Sequence, residues 1–255
     1  NLTAGYIDLA TYDELEKYMY GGPDATAYFV RETRKSTWFT QCPVTLSKSN
    51  GTPEFGAEWS CTISRAGDYL LGTWLHVVTP YVALKSTEKK VISWAPNFMH
   101  ALVRECCITF NDLVAARFDS AHLDFWAAFT VPASKQAGYA RMIGAALPTA
   151  GDEIMPQVCN LPLPFFYSRD SGVALPTAAL PYNEMRISFT FREARDLLVS
   201  LSECADNDHD NLRTAGTDND SGNGIVKRAS ALPAFVKEPS LGSNAVQVWA
   251  NYAIV

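Results

Sequence analysis

The dominant period of hydrophobic and polar positions in this chain is two. Over residues 186–192, Ile187, Phe189 and Phe191 alternate with Arg186, Ser188, Thr190 and Arg192, and over 246–254 Val246, Val248, Ala250, Tyr252 and Ile254 share one side. Successive side chains of a strand point to opposite faces, so both runs are predicted as half-buried strands. The second is expected to close a sheet against earlier strands. Residues 58–64 alternate in the same way with Trp59, Cys61 and Ile63 on one face, and 69–82 form a longer β-rich run containing Trp74 and His76. These two are read as neighbouring strands of one antiparallel sheet. Aromatic and β-branched residues at 25–32, 38–46, 102–110 and 114–118 predict four more strands, the last two joined by a turn at Asn111-Asp112. Adjacent Cys106 and Cys107 then point to opposite faces, which leaves room in the core for one of them at most.

Helical spacing is confined to short stretches. Thr11-Tyr-Asp-Glu14 fits a capping box, Leu15, Tyr18 and Met19 follow at helical spacing, and Gly21-Gly22-Pro23 is the stop, so a helix is predicted over 11–20. Leu123, Trp126 and Ala127 fall at i, i+3 and i+4, with Phe125 and Phe129 widening the apolar side. That helix begins near Ser120 and ends at Val131-Pro132, and a second short one is predicted over 134–142. Residues 193–201 have no clean period and read as strand or short helix.

The long crossing at 160–192 carries Pro162, Pro164, Pro176 and Pro181, which fix φ and remove backbone donors, so it reads as extended chain rather than helix. Residues 47–56 are turn chemistry throughout, and 145–157 read as an exposed loop. Over 204–223, Asp206, Asp208, Asp210, Asp218 and Asp220 stand against the single base Arg213. Such polar sequence buries too little apolar area to offset its ordering entropy, and a mobile surface loop is expected there. Its D-x-D-x-D opening resembles a calcium loop, yet Asn211 occupies the sixth position and Thr217 the twelfth, where Gly and Glu are required. No metal is assigned.

Composition narrows the class. Of 255 residues, 47% are hydrophobic, 12% aromatic and only 19% charged, which suits one large all-β domain with a sizeable core and apolar surface for neighbours. Twenty-one basic against 27 acidic residues give a net charge of -6, so a phosphate-binding surface, and with it direct nucleic-acid binding, is not expected. The basic cluster Arg31, Arg34 and Lys35 reads as a solvated face. Cysteines 42, 61, 106, 107, 159 and 204 show neither a C-x-x-C pair nor dense framework spacing, and read as reduced thiols. No apolar run reaches the roughly 20 residues that span a bilayer, and no signal peptide is visible, so synthesis in the cytosol is expected. The sequons at Asn1, Asn50 and Asn219 are therefore read as unmodified. No internal repeat is visible.

Catalytic chemistry finds no anchor. There is no G-x-S-x-G, no Gly-rich phosphate loop, and His76, His100, His122 and His209 stand far apart without H-x-H or H-E-x-x-H spacing. His76, alone in an apolar strand, reads as structural. The aromatics read as core or interface filling. No catalytic, cofactor-binding or metal-binding residue is assigned, no cofactor is expected, and the chain is read as a non-enzyme. Many short strands with long connections and a few inserted helices point to a mainly β protein, an antiparallel sandwich of the jelly-roll kind.

Several ordered motifs carry a resemblance beyond this. LPLPFF at 161–166, SRDSG at 168–172, ALP at 174–176 and LPYNE at 180–184 resemble the major capsid proteins of iridoviruses. So do GYIDLATYDELEKYMYGG at 5–22, RAGDYLL at 65–71, TFNDL at 109–113 and LDFWAAF at 123–129. The resemblance implies the N-terminal jelly roll of a double jelly-roll protein, with a second jelly roll after Val255. It implies an N-terminal arm over 1–24 with a short helix inside the shell and a jelly roll over 25–255, and the polar loop at 204–223 is expected on the outside. The implied function is structural: homotrimers form pseudo-hexagonal capsomers that tile an icosahedral shell over an internal membrane. The implied partners are neighbouring capsomers, minor capsid proteins and, for the arm, the internal viral membrane. Its place is the virion capsid, with synthesis and assembly in the host cytoplasm. The competing class is a lectin-like jelly-roll carbohydrate-binding module holding calcium and sugar near Asp206.

Overall fold

The computed structural model describes residues 2–10, 31–85, 90–145, 153–180, 184–202, 234–242 and 244–255. The chain divides into two compact units, Asn1–Trp38 and Phe39–Val255. In the first, helix α1 (Leu2–Ala10) precedes the stretch expected to be helical. The predicted helix at 11–20 and most of the predicted strand at 25–32 lie outside the described residues. Residues 31–38 run without strand pairing, and Arg31, Arg34 and Lys35 are exposed, with Arg34 pairing Glu32 at 3.3 Å. The charge run is solvated, as its composition suggested.

The second unit is built on strands β1 (Thr40–Thr45), β2 (Ser47–Asn50), β3 (Glu58–Thr62), β4 (Tyr69–Val78), β5 (Val82–Ala83), β6 (Lys90–Trp94), β7 (Val103–Phe110) and β8 (Leu113–Asp119). After them come β9 (Glu153–Ile154), β10 (Val158–Pro162), β11 (Leu175–Pro176), β12 (Met185–Phe191), β13 (Leu198–Ser202) and β14 (Val246–Ile254). Between them lie the helices α2 (Phe98–Leu102), α3 (Ser120–Thr130), α4 (Ala133–Ile143) and α5 (Ala194–Leu197). One main sheet runs β1-β14-β4-β10, with β11 also on β4, and the other runs β2-β3-β12-β7-β8. Counting only β1, β3, β4, β7, β8, β10, β12 and β14 as 1 to 8, the sheets read 1-8-3-6 and 2-7-4-5. Paired neighbours in both are antiparallel. This is the order of a jelly roll, so the expected fold class stands.

The core is the space between the two inner faces. Ile187, Phe189 and Phe191 of β12, all buried, meet Trp59, which stacks on Phe189 at 4.6 Å and meets Phe191 edge-on at 5.5 Å. From the opposite sheet come Leu70, Leu75 and Val77 of β4 and Val246, Val248, Ala250 and Tyr252 of β14, also buried. The crossing from β10 to β12 closes the space: Leu163, Phe165 and Tyr167 turn inward, and the Tyr167 and Thr73 hydroxyls hydrogen-bond at 3.0 Å. Cys106 is buried and Cys107 half-buried, opposite faces as the strand required. Asn111 and Asp112, with φ of 47° and 64°, form the left-handed pair that turns β7 into β8.

Four expectations need correction. The runs at 58–64 and 69–82 are not neighbours: β3 and β4 belong to different sheets and face each other across the core. Inward alternation is satisfied equally by pairing and by facing, so the pattern alone does not separate them. Their connection passes so close to β14 that a Cβ on Gly67 would lie 2.6 Å from Tyr252 Cβ. The loop read at 47–56 begins with β2, an exposed edge strand paired only to β3, where no burial imposes alternation. The loop read at 145–157 contains β9. The proline-punctuated crossing is not wholly extended, since Phe166–Ser168 and Ser171–Val173 are single 3-10 turns. Residues 193–201, read as strand or helix, supply both: α5 and then β13.

Burial also sets the protein's response to base. Desolvation pushes Cys61 up to about 12 and Cys159 up to about 11 from an ordinary 9.0. It pushes Tyr139 up to about 12 from 10.0 and raises Tyr167 and Tyr252 as well. In each case the native value lies above the unfolded one. The stabilisation is therefore complete below the unfolded value and is lost as pH rises toward the native value. Urea denaturation is expected to show stability declining above about pH 9 and more steeply above about pH 10. Tyr167→Phe should shrink the difference between pH 8 and pH 11, and equal midpoints at the two pH values would contradict the burial argument.

Candidate assembly surface

The insertion between β8 and β10 carries α3 and α4 as a helical hairpin outside the barrel. Asp119 caps α3 by accepting the His122 backbone N–H at 2.8 Å, and α4 ends at Gly144 in the left-handed region (φ 73°). A buried imidazole pins the hairpin. His100 of α2 lies with Nδ1 2.5 Å from Asp124 Oδ1 on α3 and Nε2 2.8 Å from the Tyr139 hydroxyl on α4. The carboxylate only accepts, so Nδ1–H donates to it; with the imidazole neutral, Nε2 is then the acceptor for the phenolic O–H. Burial, with the Asp124 charge behind it, pushes the Tyr139 phenol up to about 12, so it stays a donor at neutral pH. Asn97 Nδ2 also donates to Asp124 at 3.3 Å, and Arg192 Nη2 donates to Ser120 at 2.8 Å, tying the end of β12 to the start of α3.

An Asp-His-hydroxyl chain has the outline of a nucleophile relay. Here the hydroxyl is a phenol that burial holds protonated. The arrangement fastens three helices. The other described histidines are elsewhere: His76 faces out from β4 with Nδ1 2.8 Å from Asn160 Oδ1, and His122 stacks on Trp126 at 6.0 Å. His209 and the Asp206–Asp220 run lie outside the described residues. Among the described residues no group of three or more His, Cys, Asp or Glu is placed to hold a metal ion. The His100 cluster escaped sequence reading because its members sit on three elements at positions 100, 124 and 139, and no short spacing announces them.

Exposed apolar groups include a pair at the start of β8 and a pair on α3. β8 is the last strand of its sheet, and its outer hydrogen-bonding edge has no partner among the described residues. It opens with Leu113 at 74% and Val114 at 53% exposed. The chain continues from β8 into α3, whose Phe125 and Phe129 rings pair at 4.9 Å while remaining 54% and 78% exposed. The periodicity places both phenylalanines at the margin of one wide apolar side. Instead Leu123 alone is fully buried, and Phe125 and Phe129 form a second apolar face that points away from the barrel. An apolar edge strand and a bare aromatic pair mark surfaces that other polypeptides cover.

By fold, the chain is a jelly-roll protein, with exposed apolar side chains on β8 and α3. The family profile described as major capsid protein N-terminus matches residues 27–254, and the chain belongs to this family. The major capsid protein of Costelytra zealandica iridescent virus is 56% identical over 269 residues, covering 100% of this chain and 54% of that protein. That of Invertebrate iridescent virus 6 is 54% identical with the same coverage of 100% and 54%, and that of Lymphocystis disease virus 1 is 48% identical over 78% of this chain and 45% of its own. The chain thus spans about half the length of the curated relatives it matches. Among solved structures, PBCV-1 VP54 superposes with a TM-score of 0.61 at 17% identity, over 90% of this chain and 45% of that one. The Faustovirus major capsid protein gives 0.61 at 9% identity, over 90% of this chain and 57% of that one. At such identities the likeness shows a shared fold.

The His100 latch is testable. Replacing His100 by Ala leaves the Tyr139 hydroxyl without its acceptor and opens a buried void, and should cost roughly 2–4 kcal/mol. Tyr139→Phe, which removes one hydrogen bond and little volume, should cost about 1 kcal/mol. Denaturant midpoints give the energies. Hydrogen exchange should show faster exchange of α3 and α4 amides in His100→Ala, and unchanged protection there would mean that the hairpin is held by something else.

Proposed function

We infer that this chain is the N-terminal jelly roll of a structural capsid protein and that its role is mechanical rather than catalytic. The observation that carries the reading is 56% identity across the whole of this chain with a relative named major capsid protein. In this reading the protein continues beyond Val255 into a second jelly roll. Three copies make a pseudo-hexagonal capsomer, and capsomers tile an icosahedral shell over an internal membrane. The arm at 1–24 faces the inside, where the membrane is its contact, and minor capsid proteins bridge capsomers. Assembly takes place in the host cytoplasm and the mature protein resides in the virion. The exposed edge at β8 and α3 supports this reading, since assembly draws its free energy from buried contacts between subunits.

Native mass spectrometry of the protein from infected cells tests it directly. A chain well above 28.0 kDa travelling as a trimer is expected, and a lone 28.0 kDa monomer would overturn the reading. In the full-length protein, the double substitution Phe125→Glu and Phe129→Glu should weaken assembly at least tenfold, since desolvating two carboxylates in an apolar contact is costly. The thermal midpoint of the isolated subunit should move little, because both side chains are solvated there.

A further inference from the structure

The face of α3 opposite Phe125 and Phe129 roofs a cleft of about 830 Å³ over the outward side of β4 and β10. Its walls include Trp74 of β4, Trp126 of α3, Tyr139 and Met142 of α4, and Pro162 and Pro164 of the crossing. We propose that this cleft is a binding site for a single long-chain carboxylate, with the hydrocarbon lying between Trp74 and Trp126 and the anionic head at Lys135 and Arg169.

The volume and the apolar walls fit a small-molecule site, commonly some 300–1,000 Å³. Charge selects the head group. None of the lining residues is Asp or Glu, and the one charged residue among them is Lys135. A second cation stands at the cleft's Trp126 wall: the Arg169 guanidinium lies 5.1 Å from the centre of the Trp126 ring, and its chain neighbour Ser168 lines the cleft. The walls also select the body of the ligand. Pro132, Pro162 and Pro164 have no N–H to offer a peptide backbone. Of the uncharged polar side chains in the lining, Thr73, Thr130, Tyr139, Ser168 and Asn251 already hold hydrogen bonds within the protein, so a hydroxyl-rich sugar would have to displace them. A hydrocarbon chain needs none, and its removal from water between two indoles is favourable in proportion to the area covered. This site stands independently of the capsid reading.

The test uses 9,10-dibromostearate, whose bromines quench tryptophan fluorescence only at contact, added below its micelle concentration to the full-length protein as purified. Saturable quenching at one equivalent per chain is expected, with Trp126→Phe losing part of the amplitude. Gly138→Trp places an indole at the cleft wall from a position where a Cβ meets nothing within 4 Å. It should weaken binding at least tenfold while circular dichroism and the thermal midpoint stay unchanged. Lys135→Glu, at an exposed position whose loss does not threaten folding, should weaken binding three- to tenfold. Three results would each overturn the proposal: quenching that never saturates, equal affinity in Gly138→Trp, or equal affinity for the methyl ester. Binding to anionic phospholipid vesicles without binding of the monomeric acid would overturn it too and point to a membrane surface.

Discussion

The stack of Phe189 on Trp59 at 4.6 Å is the contact from which the barrel is laid out. β12 is the middle strand of its sheet, hydrogen-bonded to β3 on one side and to β7 on the other, so the position of its inward residues fixes both neighbours. A slip of one residue would turn Ile187, Phe189 and Phe191 to solvent and bring Arg186, Ser188 and Thr190 into a space lined by β4 and β14. A guanidinium there would be desolvated among Leu75, Val77, Val246 and Val248. The register is thus held by the cost of the alternative as much as by the aromatic contact itself.

What the sequence disclosed follows from this. Where one face of a strand is fully buried, as in β12 and β14, alternation is strict and the strand can be read residue by residue. The Asn111-Asp112 turn, the Asp119-capped helix and the proline-bounded crossing were legible for a similar reason, since each rests on local sterics or a local hydrogen bond. Pairing partners were not. β3 and β4 both turn apolar residues inward, Trp59 and Cys61 from one and Leu70, Leu75 and Val77 from the other, and only the path of the chain around the sandwich places them in different sheets. β2 escaped because an exposed edge strand needs no pattern at all.

The surface features were the least readable. Phe125 and Phe129 share a helix with Leu123 and Trp126, and a single helical wheel cannot distinguish a wide buried face from two narrow ones with different occupants. The geometry of α3 resolves them into a side over the cleft and a side facing away. The latch at His100 shows the complementary case: its donors and acceptors are individually unremarkable in sequence and become a unit only when α2, α3 and α4 are brought together. Because that unit is polar, it fixes the angle of the hairpin in a way that apolar packing alone would leave loose.

The edge strands have a mechanical consequence. Residues 40–50 form the rim of one sheet as β1 and, past buried Leu46, the rim of the other as β2. β1 is held by a single ladder, to β14, so a pull that lifts its free end away from the sheet breaks that ladder bond by bond, as a zipper opens. β14, by contrast, lies between β1 and β4, so a pull along its axis loads two ladders in shear and strains many bonds at once. The barrel is therefore mechanically anisotropic: it yields readily to tension arriving from its N-terminal side and resists tension arriving through its last strand.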